Sequence, residues 1–136
     1  MALGTIYNTS TGEILRNLDM VEEYFIDQVQ SGESLYNDYA DPNLMYFISN
    51  LPVFKNTNPS TIDTTTITAN GSSTATISSI PNPSTAFFTV PEGANPIDST
   101  TIIDGTIAFS CNTIGEYTIT LSSIPHLTET FTITAS

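Results

Sequence analysis

The chain has 136 residues, 39% of them hydrophobic, and its 14 acids and two bases give a net charge of −12. This charge excludes a nucleic-acid binder, which needs cations to displace phosphate counterions, and a protein that docks on an anionic membrane surface. The ordinary apolar content, with 10% aromatic residues, indicates a folded protein and not a disordered acidic tail.

The N-terminal residues lack the basic and apolar regions of a signal peptide, and no stretch approaches the roughly 20 apolar residues of a membrane span. We therefore expect a protein that is made in the cytoplasm without a signal peptide. Cys111 is the only cysteine, so no intramolecular disulfide can form and the core must stabilise the fold without one.

The composition changes near residue 56. Residues 1–55 contain eight acids and both bases, Arg16 and Lys55, whereas the rest of the chain contains six acids and no base, so each part carries −6. The second part is also richer in Thr and Ser, with Pro and Gly between short apolar runs. We predict a small N-terminal α+β docking unit at 1–55, a linker at 56–60 and a second domain at 61–136.

The first segment reads as four strands and one helix. Asp19 and Glu22 have the spacing of a capping box, and apolar residues then recur at helical spacing as far as Gly32. These signals predict a helix at about 20–30 and a unit with one apolar face. The predicted strands are 3–7, 13–18, 33–38 and 44–49.

The second segment has denser strand signals. Asn70-Gly71 and Asp104-Gly105 each stand between two apolar runs, which favours two-residue type I′ hairpins. Seven short strands separated by turns are typical of an antiparallel sandwich. The predicted strands are 62–69, 72–80, 85–90, 99–103, 106–110, 116–122 and 128–134.

Tyr117 refines the sandwich prediction. It stands just inside the penultimate strand after a turn that contains Gly115, the position at which a tyrosine of immunoglobulin-like sandwiches bonds back to the backbone. The chain lacks tryptophan, and Cys111 precedes this corner, so the antibody disulfide and strand C tryptophan are missing. We predict a mainly β protein whose second domain is a disulfide-free, immunoglobulin-like antiparallel β-sandwich.

The sequence contains few side chains that could act in catalysis or bind a metal. His126 is the only histidine and reads as an exposed loop residue, while Cys111 has no basic neighbour and reads as a small buried hydrophobe. We predict no enzyme, no cofactor and no metal site. A structural calcium remains the alternative for the loop acids Glu92, Asp98, Asp104, Asp38 and Asp41, which otherwise read as solvated residues.

Several motifs resemble those of small structural proteins of tailed bacteriophages. In that family a tyrosine is followed by T-G-x-I-x-R, a helix ending in Q-x-G-E, a tyrosine-rich strand and a proline-containing linker, and some members end in a β domain with a G-x-Y-x-apolar strand. The basic residues usual around that linker are reduced to Lys55. The matching residues are Tyr7, Thr11 to Arg16, Gln30 to Glu33, Leu44 to Ile48, Gly115 to Ile119 and Phe131 to Ile133.

The resemblance implies a virion protein of the tail, the fibre base or the capsid surface that acts by binding other virion structural proteins and copies of itself. Residues 1–55 would dock on the particle, and residues 60–136 would project. Tyrosine is enriched in interface cores, so the candidate interface anchors are Tyr36, Tyr39, Tyr46 and Phe54, unless they fill the small core. The alternative function is a bacterial surface adhesion or glycan-binding module, with a host-surface glycan as its partner.

Overall fold

The computed structural model describes residues 1–136, which divide into two compact units, Met1–Asn56 and Thr57–Ser136. Strands dominate, so the prediction of a mainly β protein is confirmed. Asn58, within the predicted linker, is buried and donates from its side-chain amide to the carbonyl oxygen of Leu127 in the second unit, at 3.2 Å. The structure contains no helix with the length and apolarity that a membrane span requires.

The first unit is built on a three-stranded antiparallel sheet. The central strand β1 (Ala2–Asn8) lies between β2 (Ile14–Met20) and β3 (Glu33–Tyr36). A bulge in β2 shifts the register between Ile6 and Tyr7. The bulge brings Ile14 opposite Tyr7 and onto the same face of the sheet.

Both faces of this sheet are covered, so the expectation of one apolar face is wrong. On one face, Ile6 and Leu18 pack with Phe25 from a short helix. On the other face, Tyr7 packs with Phe47 from a two-stranded hairpin. A three-layer unit results, with a small core on each side of the sheet.

The predicted helix at 20–30 is a single 3₁₀ helix, Glu22–Gln28, so the helical part of the expected α+β unit is small. The capping box does not form, because β2 continues to Met20 and Asp19 pairs with Leu3 in the ladder. Phe25 is the one buried residue of the helix.

The hairpin consists of β4 (Met45–Ile48) and β5 (Leu51–Phe54), which pair antiparallel. Ser49 and Asn50 connect them with φ of 50° and 66°, as a two-residue type I′ turn requires. The strand β5 was not predicted, since its Pro52 cannot donate to a ladder and Ser-Asn is a weaker turn signal than Asn-Gly.

The second unit consists of two sheets. One has the order β10-β9-β12-β13-β7 and the other the order β11-β8-β6. The strands are β6 (Thr61–Ile62), β7 (Thr66–Ile67), β8 (Ala75–Ser78), β9 (Ser84–Thr89), β10 (Thr100–Ile102), β11 (Ile107–Phe109), β12 (Gly115–Ser122) and β13 (Glu129–Ala135).

This arrangement confirms the immunoglobulin-like sandwich. The penultimate strand β12 lies between β9 and β13, and the first strand of the unit divides so that β6 joins one sheet while β7 pairs parallel with β13 in the other. The two predicted type I′ hairpins are wrong. Gly71 and Gly105 have positive φ but Asn70 and Asp104 do not, and each turn leads the chain from one sheet to the other.

The core of the second unit lies between its two sheets. Tyr117, Ile119 and Leu121 on β12 are buried, while the alternate residues face outward. The Tyr117 ring packs against Phe109 of the opposite sheet, with ring centroids 5.1 Å apart. Its hydroxyl donates to the carbonyl oxygen of Thr113 at 2.8 Å, which confirms the predicted tyrosine corner.

Candidate interaction surface

The four predicted interface aromatic residues have different environments. Tyr36 is partly buried and meets the Phe47 ring edge-on, with centroids 5.3 Å apart, so it is a core residue. Tyr46 is partly buried on β4. Tyr39 and Phe54 are 51% and 70% exposed. Of the four, Tyr39 and Phe54 are therefore the ones most available to a partner.

A backbone platform holds Tyr39 in place. The neighbouring Thr5 hydroxyl is fully buried, donates to the carbonyl oxygen of Asp38 at 2.8 Å and accepts from the backbone N–H of Ala40 at 3.0 Å. The same hydroxyl accepts from the side-chain amide of Asn17 at 3.0 Å. The loop on both sides of Tyr39 is thus fixed to the central strand, which reduces the entropy lost when its ring is covered.

Phe47 attaches the hairpin to the sheet. Its ring stacks on Tyr7 with centroids 4.0 Å apart and an interplanar angle of 4°. Its backbone N–H donates to the carbonyl oxygen of Gly12 at 2.8 Å. Gly12 has a φ of 77°, and a methyl group at its Cα would lie 2.0 Å from the Phe47 carbonyl oxygen. Only glycine permits this close approach of the two backbones.

The side of the hairpin that faces away from the sheet is apolar. Ile48 pairs with Leu51 across the turn, and Tyr46 pairs with Val53. Because side chains alternate along a strand, these four lie opposite the core-facing Met45 and Phe47. Leu44 extends the row, since its carbonyl oxygen accepts from the Lys55 backbone N–H at 2.8 Å, and this pairing places Lys55 beside it at the end of the face. We call this surface the outward hairpin face: Leu44, Tyr46, Ile48, Leu51 and Val53.

The outward hairpin face is accessible at its turn end, where Ile48 and Leu51 are 51% and 64% exposed. A two-stranded sheet with apolar side chains on both faces buries only one of them against its own unit. Exposed apolar patches of this kind mark interaction sites more often than isolated exposed residues do.

The two bases of the first unit, Arg16 and Lys55, both bind groups of the same unit. The Arg16 guanidinium donates to both carboxylate oxygens of Glu33, at 2.9 and 2.7 Å, and to the Gln28 carbonyl oxygen at 2.5 Å. The hydrogen bonds from Arg16 and from the Gln30 backbone lower the pKa of Glu33 to about 2. Lys55 donates to the carbonyl oxygen of Pro42 at 2.9 Å. Both bases therefore serve the unit's own structure.

The second unit holds the remaining reactive side chains. Cys111 and Tyr117 both donate to the carbonyl oxygen of Thr113, at 3.7 and 2.8 Å, beside a shallow pocket of about 170 Å³. Burial raises the pKa of Tyr117, and the adjacent Cys111 thiol acts in the same direction. Tyr117 is the only aromatic residue that lines the pocket, and its ring is buried, so it offers no exposed ring for stacking on a sugar.

The remaining candidate residues, His126 and the loop acids, do not form a metal site. His126 is partly buried, against the expectation of an exposed residue, and its Nδ1 atom has no hydrogen-bond partner. No three His, Cys, Asp or Glu side chains come together as a metal site would require. No three of the loop acids Glu92, Asp98, Asp104, Asp38 and Asp41 therefore form such a group.

Most of the outward hairpin face was not predicted from the sequence. Of its residues only Tyr46 was a candidate, and Leu44, Ile48, Leu51 and Val53 were not. The available signal was that residues 44–48 and 51–54 are apolar at successive positions, whereas a strand with one solvent-exposed face is apolar only at alternate positions.

No protein-family model matches the chain, and no curated protein matches it. Among solved structures, the chain is similar to a glycosyl hydrolase family 2 member from Bacteroides cellulosilyticus, at 13% sequence identity and a TM-score of 0.40. The match covers 99% of this chain and 22% of that one, so the chain spans about a fifth of that protein's length. At this score the similarity supports no conclusion about fold or function.

Proposed function

We propose that the chain is a non-enzymatic structural protein that acts by protein–protein assembly, as a tail, fibre-base or capsid-surface component of a tailed bacteriophage virion. The assembly role rests on the surface of the first unit. The virion setting rests on the motif resemblance, from Tyr7 through the T-G-x-I-x-R segment to the C-terminal strands. The proposal includes no nucleic-acid or membrane partner, because a chain with a net charge of −12 is repelled by nucleic acids and by anionic membrane surfaces.

The observation that carries the proposal is the uneven distribution of exposed apolar side chains. Eleven of the fifteen exposed large hydrophobic residues lie in the first unit, which is the smaller one. The second unit exposes four and covers the outer faces of its strands largely with threonine. An apolar unit next to a polar, threonine-coated sandwich fits an anchor and a projecting module.

In this proposal residues 1–55 attach to other virion proteins, and residues 61–136 project or pack against neighbouring copies. Tyr39 and Phe54 are the attachment anchors, because both rings are exposed and Tyr39 is held by fixed backbone on both sides. A ring carried by fixed backbone loses less entropy on binding, and aromatic residues are enriched among the residues that dominate interface energetics.

The test is immunogold labelling with an antibody against the second unit. The sample is virus particles recovered from cells in which the genome that encodes this chain is expressed. We expect gold at regular positions on the particle. Protein that stays in the particle-free fraction would contradict the proposal. Tyr39→Ser combined with Phe54→Ser should remove most of the label, whereas Phe87→Ser, at a 49% exposed ring of the second unit, should leave it unchanged.

A further inference from the structure

We infer that a spontaneous covalent modification, the formation of isoaspartate, takes place in the folded chain at Asp104-Gly105 and is blocked at Asn70-Gly71. The chain contains one Asp-Gly and one Asn-Gly dipeptide, and both lie in the second unit. In a flexible peptide Asn-Gly reacts faster, because a neutral carboxamide is a better electrophile than a carboxylate. The structure reverses this order. The inference is independent of the proposed function.

The reaction begins when the backbone nitrogen of the glycine loses its proton and attacks Cγ of the preceding side chain. The new N–Cγ bond closes a five-membered succinimide ring, and ammonia leaves from Asn or water leaves from Asp. One water molecule then hydrolyses a ring C–N bond and yields either Asp or isoaspartate, in which the backbone runs through the side-chain methylene. Glycine permits the closure because it has no Cβ. The reaction therefore needs a free glycine N–H and a peptide that can turn towards Cγ.

The two dipeptides are matched in backbone conformation. Gly71 and Gly105 have φ of 77° and 78°, and each turn leads the chain from one sheet to the other. Asn70 and Asp104 are both exposed. The two sites differ in the hydrogen bonds and the packing of the glycine, so these determine which of them reacts.

The glycine nitrogen of Asn70-Gly71 is held by a hydrogen bond. Its N–H donates to the carbonyl oxygen of Cys111 at 2.9 Å, so the proton that must leave is already bound. The Oδ1 atom of Asn70 accepts from the backbone N–H groups of Ser72 and Ser73, at 2.9 and 2.8 Å. These two bonds fix the position of Cγ relative to the turn. The nitrogen and Cγ can meet only after the turn has opened.

Packing also restrains the peptide between Asn70 and Gly71. A Cβ added at Gly71 would lie 2.7 Å from the Oδ1 atom of Asn112. At Gly105 the corresponding neighbour is the carbonyl oxygen of Ile80, at 3.5 Å, which is an ordinary contact distance. The peptide before Gly105 therefore has more room to turn.

The glycine nitrogen of Asp104-Gly105 is free. Its N–H donates to no group of the protein. The Asp104 carboxylate accepts one hydrogen bond, from the Thr106 backbone N–H at a long 3.3 Å. The carbonyl oxygen of Gly105 accepts from the Ile80 N–H at 3.1 Å, but this carbonyl belongs to the next peptide. The 104–105 peptide can therefore turn towards Cγ while the chain stays folded.

The hydrogen bonds set the size of the difference. Ring closure at Asn70 first breaks the three hydrogen bonds described above, each worth roughly a factor of five in an equilibrium constant. Ring closure at Asp104 breaks only the long bond from Thr106. The reactive conformation at Asn70 is therefore populated on the order of 10–100 times less than the one at Asp104.

Asp104→Asn tests this difference, because the variant has two Asn-Gly dipeptides with the same intrinsic chemistry. The folded variant is incubated at mildly alkaline pH and digested with a protease that cleaves after Glu, which yields residues 34–92 with Asn70 and residues 93–116 with position 104. We expect the mass increase of deamidation to appear at position 104 at least about tenfold faster than at Asn70. Fragmentation of each peptide assigns the modified residue. In guanidinium chloride the two rates should become similar.

The natural sequence supplies a second measurement, which applies even if the variant does not fold. An isoaspartyl methyltransferase with labelled S-adenosylmethionine methylates the free α-carboxyl of isoaspartate. After incubation of the folded chain at neutral pH, we expect the label at Asp104 and not at Asn70. Asp104→Glu is the control and should remove the label, because its closure would need a six-membered ring.

Two results would overturn the inference. One is deamidation of Asn70 in the folded Asp104→Asn variant as fast as at position 104. The other is a folded natural chain in which Asn70 acquires the methyl label before Asp104, or in which Asp104 acquires none.

Discussion

A single methyl group at Gly12 tests how the β4–β5 hairpin is attached to the sheet. Gly12 has a φ of 77°, and its added Cβ would lie 2.0 Å from the carbonyl oxygen of Phe47. Gly32 is the matched control, because it has a φ of 81° in the same unit and a Cβ there would meet nothing within 4 Å. The two alanine variants share the backbone strain and differ in the contact with the hairpin.

The strain of a positive φ costs alanine about 1–2 kcal/mol at either position. At Gly12 the hairpin must also move by about 1 Å, because Cβ contacts below 3.0 Å essentially do not occur. This movement breaks the Phe47 N–H to Gly12 hydrogen bond, which costs about 1–2 kcal/mol, and exposes part of the Phe47 ring, which costs about 1 kcal/mol more. We expect Gly12→Ala to destabilise the first unit by about 3–5 kcal/mol and Gly32→Ala by about 1–2 kcal/mol.

Urea unfolding followed by tyrosine near-UV circular dichroism measures this difference. Five of the six tyrosines precede residue 56, so the signal reports mainly on the first unit. Hydrogen exchange of a peptide that covers 44–54 then shows whether the hairpin loosens first. Equal free energies of unfolding for the two variants, or unchanged exchange of this peptide in Gly12→Ala, would refute the reasoning.

Three further predictions concern stability. Hydrogen bonds from Arg16 and Gln30 lower the pKa of Glu33 to about 2, so the stability that they provide is present above about pH 5 and is lost as the pH falls towards 2. Glu33→Gln should therefore reduce the fall of the melting temperature with decreasing pH. Tyr117→Phe removes the corner hydrogen bond and should destabilise the second unit by about 1 kcal/mol in thermal unfolding, with Tyr24→Phe, at an exposed ring, as a neutral control. Thr5→Val leaves the partners of the buried hydroxyl unpaired and should lower the free energy of unfolding in urea by about 2–4 kcal/mol. The control Thr132→Val, at an exposed threonine, should lower it little, and equal effects of the two substitutions would contradict the role of the Thr5 hydroxyl.

In the second unit, the alternation of apolar residues and the position of one tyrosine predicted the structure correctly. The alternation on β12 placed Tyr117, Ile119 and Leu121 on one buried face, and the corner hydrogen bond followed from the position of Tyr117 after Gly115. The pairing of the strands was not predictable from turn signals. At Asp104-Gly105 the chain does not form a hairpin but passes from β10 to β11, and β10 and β11 belong to different sheets.

In the first unit, local propensity and tertiary packing disagreed. The helical pattern around Phe25 yielded only a 3₁₀ helix, whose one buried residue is Phe25, with its ring over Gly4. The strand β5 was hidden by Pro52, and with it the outward hairpin face. Its position depends on the contact between Gly12 and Phe47, which are 35 positions apart, and no local signal reports such a contact.

The low number of lysine and arginine residues also determines how the protein can be detected. Trypsin can cut this chain only after Arg16 and Lys55, so residues 56–136, which include the entire second unit, leave as one long peptide. Amine-directed labels would likewise react only with Lys55 and the N-terminal amine, both in the first unit. A survey by tryptic mass spectrometry would therefore under-count this protein, and a protease that cuts at acidic residues should recover it.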